Sequence, residues 1–94
     1  MRSLVWSSSF VRALRRKTRG RPDLRDRIKR TLRRLAQDPY DPLLHSHKLT
    51  GQLSGIWACT VSYDIRILFE FRDNPHSGEE EILLLTVGTH DEVY

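Results

Sequence analysis

The sequence predicts an α+β domain: an N-terminal strand, an α-helical hairpin, then a three- to four-stranded, mainly antiparallel sheet. Three observations lead there. Apolar residues recur at helical spacing between residues 10 and 35, and the pattern turns to alternation after Ile56. A chain of 94 residues supplies one hydrophobic core, not two, so 1–94 reads as a single domain.

Each element has a local cause. Leu4-Val5-Trp6 is a short apolar segment able to enter a sheet. Ser7, Ser8 or Ser9 can cap a helix, because a serine hydroxyl accepts from an otherwise unpaired first-turn amide. Phe10, Val11 and Leu14 follow at helical spacing, and Gly20 with Pro22 ends that helix and starts a second. Leu24, Ile28, Leu32 and Leu35 form one apolar stripe, with arginines over the rest of the surface. Asp38-Pro39 and Asp41-Pro42 end the second helix, since residues before proline leave helical geometry. Ile56-Trp57-Ala58-Cys59-Thr60-Val61 is rich in β-formers. In the next strand Ile65, Ile67, Phe69 and Phe71 face one way, and Arg66, Leu68, Glu70 and Arg72 the other. Ser62-Tyr63-Asp64 is short enough to join the two as a hairpin. Residues 73–78 are a loop by composition, and 81–87 form a third long strand, with both helices on one face of the sheet.

Composition narrows the class. Hydrophobic residues make up 38% and charged residues 30%, too apolar for a disordered chain. The longest apolar run, Ile82-Leu83-Leu84-Leu85, falls far short of the roughly 20 residues that cross a bilayer. The first residues turn polar at Ser7-Ser8-Ser9, unlike a signal peptide, so a cytoplasmic protein without a membrane partner is expected. Cys59 is the single cysteine, which excludes an intrachain disulfide and a thiolate zinc cluster.

Charge is strongly polarised. Residues 1–34 hold 13 Lys/Arg against two acids, whereas 35–94 hold three against ten. Such a basic block draws polyanions and raises their encounter rate. Arginine outnumbers lysine 13 to 3, and its forked donors match phosphate oxygens. An acidic protein partner, or simply solvated helix faces, would also explain the block.

Four histidines are available for proton transfer near neutral pH: His45, His47, His76 and His90. His76 reads as a solvated loop residue. His45 and His47 would share a face if extended, but no third metal ligand follows at a diagnostic spacing. His90 follows a strand and Gly88-Thr89, with Asp91, Glu92 and Tyr94 close behind; these residues are either functional or a hydrated, frayed end. Arg66 is a lone cation in an apolar strand, there either to pair with Glu70 or another cross-strand carboxylate or to meet an anion.

The spans Leu44-His45-Ser46-His47-Lys48-Leu49-Thr50-Gly51, Gly55-Ile56-Trp57-Ala58-Cys59, Tyr63-Asp64-Ile65-Arg66-Ile67-Leu68-Phe69 and Gly88-Thr89-His90-Asp91-Glu92-Val93-Tyr94 together resemble the YafQ branch of the RelE toxin superfamily. The resemblance covers essentially the whole chain and implies the RelE-like microbial RNase fold. It implies a type II toxin–antitoxin toxin: an endoribonuclease needing no metal or other cofactor, which cuts messenger RNA on the ribosome. The implied step is attack of the ribose 2′-OH on the adjacent phosphate, leaving a 2′,3′-cyclic phosphate and a 5′-OH. Carried over by motif, His47 is a candidate general base, His90 a candidate general acid, and Arg66 the cation for the scissile phosphate. Tyr94 would stack on a base or assist proton transfer, and Asp64 would orient a histidine or touch the 2′-OH. The basic residues Arg12, Arg15, Arg16, Lys17, Arg30 and Arg33 would hold ribosomal and messenger phosphates, with Lys48 beside His47 as a further contact. On a strand, however, Lys48 points away from the face of its neighbour. Implied partners are the ribosome, mRNA and a cognate antitoxin, with operator DNA reached only through the antitoxin complex.

The sequence departs from the pattern at Cys59-Thr60-Val61, where some members carry a further histidine. The base and acid roles of His47 and His90 are therefore interchangeable at this level. Two rival classes remain: a ParE-like inhibitor of DNA gyrase with the same fold, and a non-catalytic nucleic-acid-binding module.

Overall fold

A computed structural model describes residues 1–94. Its elements are β1 (Ser3–Trp6), α1 (Ser8–Thr18), α2 (Pro22–Gln37), β2 (His47–Lys48), β3 (Trp57–Thr60), β4 (Ile65–Asp73), β5 (Glu80–Thr89) and α3 (His90–Val93). Single 3₁₀ turns at Pro42–Leu44 and Gly51–Leu53 flank β2. The five strands form one sheet in the order β1-β5-β4-β3-β2, antiparallel except for β1, which runs parallel to β5. The sheet thus has five strands rather than three to four: the expected N-terminal strand takes one edge, and the two-residue His47-Lys48 strand adds the other.

Ser7 caps α1 by accepting from the Phe10 amide at 3.0 Å. Pro22 opens α2, whose Leu24, Ile28, Leu32 and Leu35 are all buried. Those side chains, with Phe10 and Ala13 of α1, pack on the sheet face formed by Cys59, Ile65, Ile67, Phe69, Ile82, Leu84 and Val87. The alternation read in β4 is therefore the observed one, with Arg66, Leu68, Glu70 and Arg72 turned to the second face. Between Leu68 and Phe69 the register slips, so that Leu68 faces Thr86 and Phe69 faces Leu84. Leu85 is the extra residue of this bulge, and its carbonyl accepts from the Ser9 hydroxyl at 2.8 Å. The bulge frees a carbonyl that the serines before and within α1 then satisfy, which fixes α1 against β5.

At the far end of the sheet Tyr40, Trp57, Phe69 and Phe71 form an aromatic cluster with ring centroids 5.3 to 6.4 Å apart. No helix is long and apolar enough to cross a membrane.

Candidate active site

Strand register decides which side chains share a face, because directly paired residues point the same way and the direction alternates along each strand. His47 pairs with Ala58, and Ala58 with Leu68. Thr60 pairs with Arg66, and Arg66 with Gly88. His47 and Arg66 therefore project from the same face, opposite the core. Two strand spacings and two residues separate them, about 12 Å between Cα atoms.

α3 folds back onto this same face. A Cβ on Gly88, on the Arg66 side of β5, would meet Glu92 Oε1 at 3.1 Å, Val93 Cγ1 at 3.2 Å and Glu92 Cβ at 3.3 Å. A side chain here would crowd the helix by a few tenths of an ångström. α3 carries His90 at its start, and Tyr94 follows it; the two rings meet edge to face at 4.4 Å. Thr89 pairs with Ile65, so His90 emerges beside the start of β4, next to the Ser62–Asp64 turn. Arg66, His90 and Tyr94 thus gather at the hairpin end of the second face, and His47 shares the face from the edge strand.

The electrostatics of each group follow from its neighbours. His47 Nδ1 lies 3.0 Å from the His45 carbonyl oxygen. A carbonyl only accepts, so Nδ1 carries the hydrogen, and in the neutral ring Nε2 holds the lone pair that a base requires. His45 reaches this position through a left-handed backbone conformation, φ 49°. Arg66 Nη1 donates to the carbonyls of Ser62 at 2.7 Å, Tyr63 at 3.1 Å and Ile65 at 3.2 Å. It pairs with no carboxylate, Glu70 included, and its Nε and Nη2 make no bond within the protein. The guanidinium is held by neutral groups, which leaves its charge for an anion. His90 Nδ1 lies 3.5 Å from Asp91 Oδ1, and both side chains are exposed. Burial pushes the Tyr94 phenol above its ordinary pKa, with the Arg66 charge opposing, so Tyr94 stays a proton-bearing donor at neutral pH although 40% exposed.

Three other residues named from sequence stand apart from this group. Asp64 is exposed in the turn, and no hydrogen bond or ion pair joins it to either histidine. Lys48 turns to the opposite face from His47, its Nζ 5.6 Å from the Trp57 ring centre, as strand alternation requires. Lys17 pairs with Glu92 rather than standing free. Arg12, Arg15, Arg16, Arg30 and Arg33 are exposed and make no ion pair. The residue that sequence reasoning missed is Glu92. Its signal was present, since Thr89-His90-Asp91-Glu92 has the capping-box spacing.

No cavity encloses the histidines; three surface concavities lie along the helices. One of about 480 Å³ at the start of α2 carries Asp23 and Asp26 and reaches Ser62 of the β3–β4 turn. The other two share a rim. One groove of about 640 Å³ runs between the helices over Trp6, Leu14, Ile28 and Leu32, rimmed by Arg15, Arg19, Arg25 and Lys29. A second shares Trp6, Lys29 and Leu32 with it and continues along Leu4 and Arg33. Neither contains an acidic residue.

Residues 2–94 match the family model described as the bacterial toxin of type II toxin–antitoxin system, YafQ. Among solved structures, YafQ from E. coli superposes with a TM-score of 0.77 at 16% identity, covering 100% of this chain and 99% of that one. A YoeB/ParE toxin from Agrobacterium tumefaciens gives 0.76 at 18% identity, over 94% and 98%. The toxin within the E. coli DinJ-YafQ toxin-antitoxin complex gives 0.75 at 16% identity, over 99% and 97%. No curated protein matches the sequence.

Proposed function

The chain belongs to the YafQ family of bacterial type II toxin–antitoxin toxins, and from that premise we propose that it is a ribosome-dependent endoribonuclease that cuts mRNA. The observation that carries the reading is the gathering of Arg66, His90 and Tyr94 on one sheet face with His47 on that same face. Cleavage by the ribose 2′-OH needs three services: removal of its proton, neutralisation of charge gathering on the phosphorane, and a proton for the departing 5′ oxygen.

His47 Nε2 takes the 2′-OH proton as the oxygen bonds to phosphorus. The free donors of Arg66 meet the phosphate oxygens. His90, in its protonated form, gives a proton to the 5′ oxygen as the P–O bond breaks. The products are a 2′,3′-cyclic phosphate and a 5′-OH, and the two histidines end with their protonation states exchanged. Tyr94 stacks on a base or donates to a phosphate oxygen. Asp64 contacts neither histidine, so in this reading it keeps the 2′-OH as its candidate partner.

The openness of the face favours dependence on the ribosome. A flat surface neither excludes water nor fixes a flexible RNA strand, so a second surface must hold the message against it. The unpaired arginines of α1 and α2 supply charge for that docking. A cognate antitoxin completes the system, as the DinJ-YafQ pair does for its toxin. The apolar, wholly basic-rimmed groove beside Trp6 suits an acidic amphipathic segment of such a partner.

The test is induced expression with and without the neighbouring gene product, followed by mapping of 5′ ends in ribosome-bound RNA. New ends inside translated codons, suppressed by the partner, support the reading. Intact message together with lost gyrase supercoiling activity overturns it in favour of a gyrase inhibitor.

A further inference from the structure

We infer that Lys17 and Glu92 form a latch that positions His90 and Tyr94, so that Lys17 is a positioning residue rather than an RNA contact. This inference rests on the active site proposed above.

Lys17 is anomalous within its own helix. It continues the inward stripe of α1 that begins with the buried Phe10 and Ala13, at helical spacing i+7 and i+4. Its side chain is only 19% exposed, whereas Arg12, Arg15 and Arg16 look outward. A cation at the end of an apolar stripe needs a partner, because leaving it unpaired there is costly. Its Nζ finds one in Glu92 Oε1, 75 residues along the chain.

Glu92 is committed in three directions. The same Oε1 accepts the Thr89 amide at 2.8 Å, and the Glu92 amide donates to Thr89 Oγ1 at 3.3 Å, a complete capping box. The Lys17 ammonium, followed by the Thr89 amide, pulls the Glu92 carboxyl down to about 2, so Glu92 is a carboxylate at neutral pH. α3 has four residues, far below the length at which a helix holds by itself. Its order must come from outside contacts: the cap, the Lys17 ion pair, and the flush seat over Gly88. Those contacts set where His90 and Tyr94 stand relative to Arg66. Nothing else ties α3 to α1 by an ion pair.

The experiment compares Lys17→Met, Lys17→Arg and Glu92→Gln with the parent. NMR reads the Tyr94 amide exchange rate and the ring-current shift of His90, and single-turnover cleavage on programmed ribosomes is measured beside ribosome affinity. K17M and E92Q are expected to lose the ring-current shift and speed Tyr94 amide exchange, with an unchanged global unfolding midpoint. Cleavage at saturating ribosome should drop about tenfold with unaltered affinity, since small misplacements of reacting groups cost rate rather than binding. K17R should restore both. An ordered Tyr94 in K17M overturns the latch. A K17M defect confined to affinity also overturns it and makes Lys17 a phosphate contact. A released tail in a chain whose parent cuts no RNA upholds the latch and refutes the nuclease reading.

Discussion

Gly88→Ala separates stability from activity at this site. An alanine Cβ would lie 3.1 to 3.3 Å from Glu92 and Val93 atoms, against about 3.5–4.0 Å at optimal contact. Glu92 cannot swing aside without breaking its cap and its Lys17 pair, so α3 must lift by about 0.5 Å. Overpacking of this kind costs about 1 kcal/mol at the lower end of its range, which suits a surface element. Against it stands a gain of about 0.4–1 kcal/mol, because alanine restricts the unfolded chain more than glycine does. Net stability should therefore change by less than about 1 kcal/mol in urea unfolding. Catalysis has no such compensation. A displacement of about 1 Å can cost about a hundredfold in rate, so half of that predicts roughly a tenfold loss in single-turnover cleavage. Gly88→Leu should lose far more. A G88A protein cutting at the parental rate, or one destabilised by more than about 3 kcal/mol, would refute the reasoning.

Other expectations follow from the same structure. Arg15→Ala and Arg16→Ala should each lower the log–log salt slope of single-stranded RNA affinity by about 0.7, as expected for loss of one phosphate contact each; unchanged slopes would remove α1 from the interface. Glu92 has a folded pKa of about 2 against an ordinary 4.5, so its contribution is present above about 4.5 and lost as pH falls toward about 2. Tyr94 amide protection should weaken across that window. Burial pushes the Cys59 thiol from 9.0 up to about 12, so the native protein should resist thiol reagents and lose stability as pH rises from 9 toward 12. Phe10→Ala should cost about 3–5 kcal/mol, because its ring is wholly buried between α1 and β5.

What the sequence revealed depended on the range of the cause. The α2 stripe, the alternation of β4 and the serine cap of α1 arise from neighbours within a few residues, and each was legible. The parallel seat of β1 against β5 was not, because nothing local chooses its partner strand. The bulge at Leu85 was equally hidden: a four-residue apolar run carries no mark of which residue is squeezed out. Arg66 was recognised as an odd cation, but its anchors are backbone carbonyls, which carry no sequence signature. By composition the residues after β5 are either functional or frayed, although Thr89 and Glu92 stand at capping-box spacing. The cap was local and could have been found. The Lys17 partner could not, since only the fold brings the end of α1 to α3. For the same reason composition alone groups Lys17 with the arginines of α1, from which its inward position separates it.

The central claim is tested most directly by the chemistry of the cut ends. Purified protein and programmed ribosomes should yield fragments ending in a 2′,3′-cyclic phosphate, matched by 5′-hydroxyl partners. His90→Ala should slow that reaction by about 10²–10⁴-fold while still binding ribosomes. Fragments with 3′-hydroxyl and 5′-phosphate ends, or undiminished cleavage by H90A, would contradict the account.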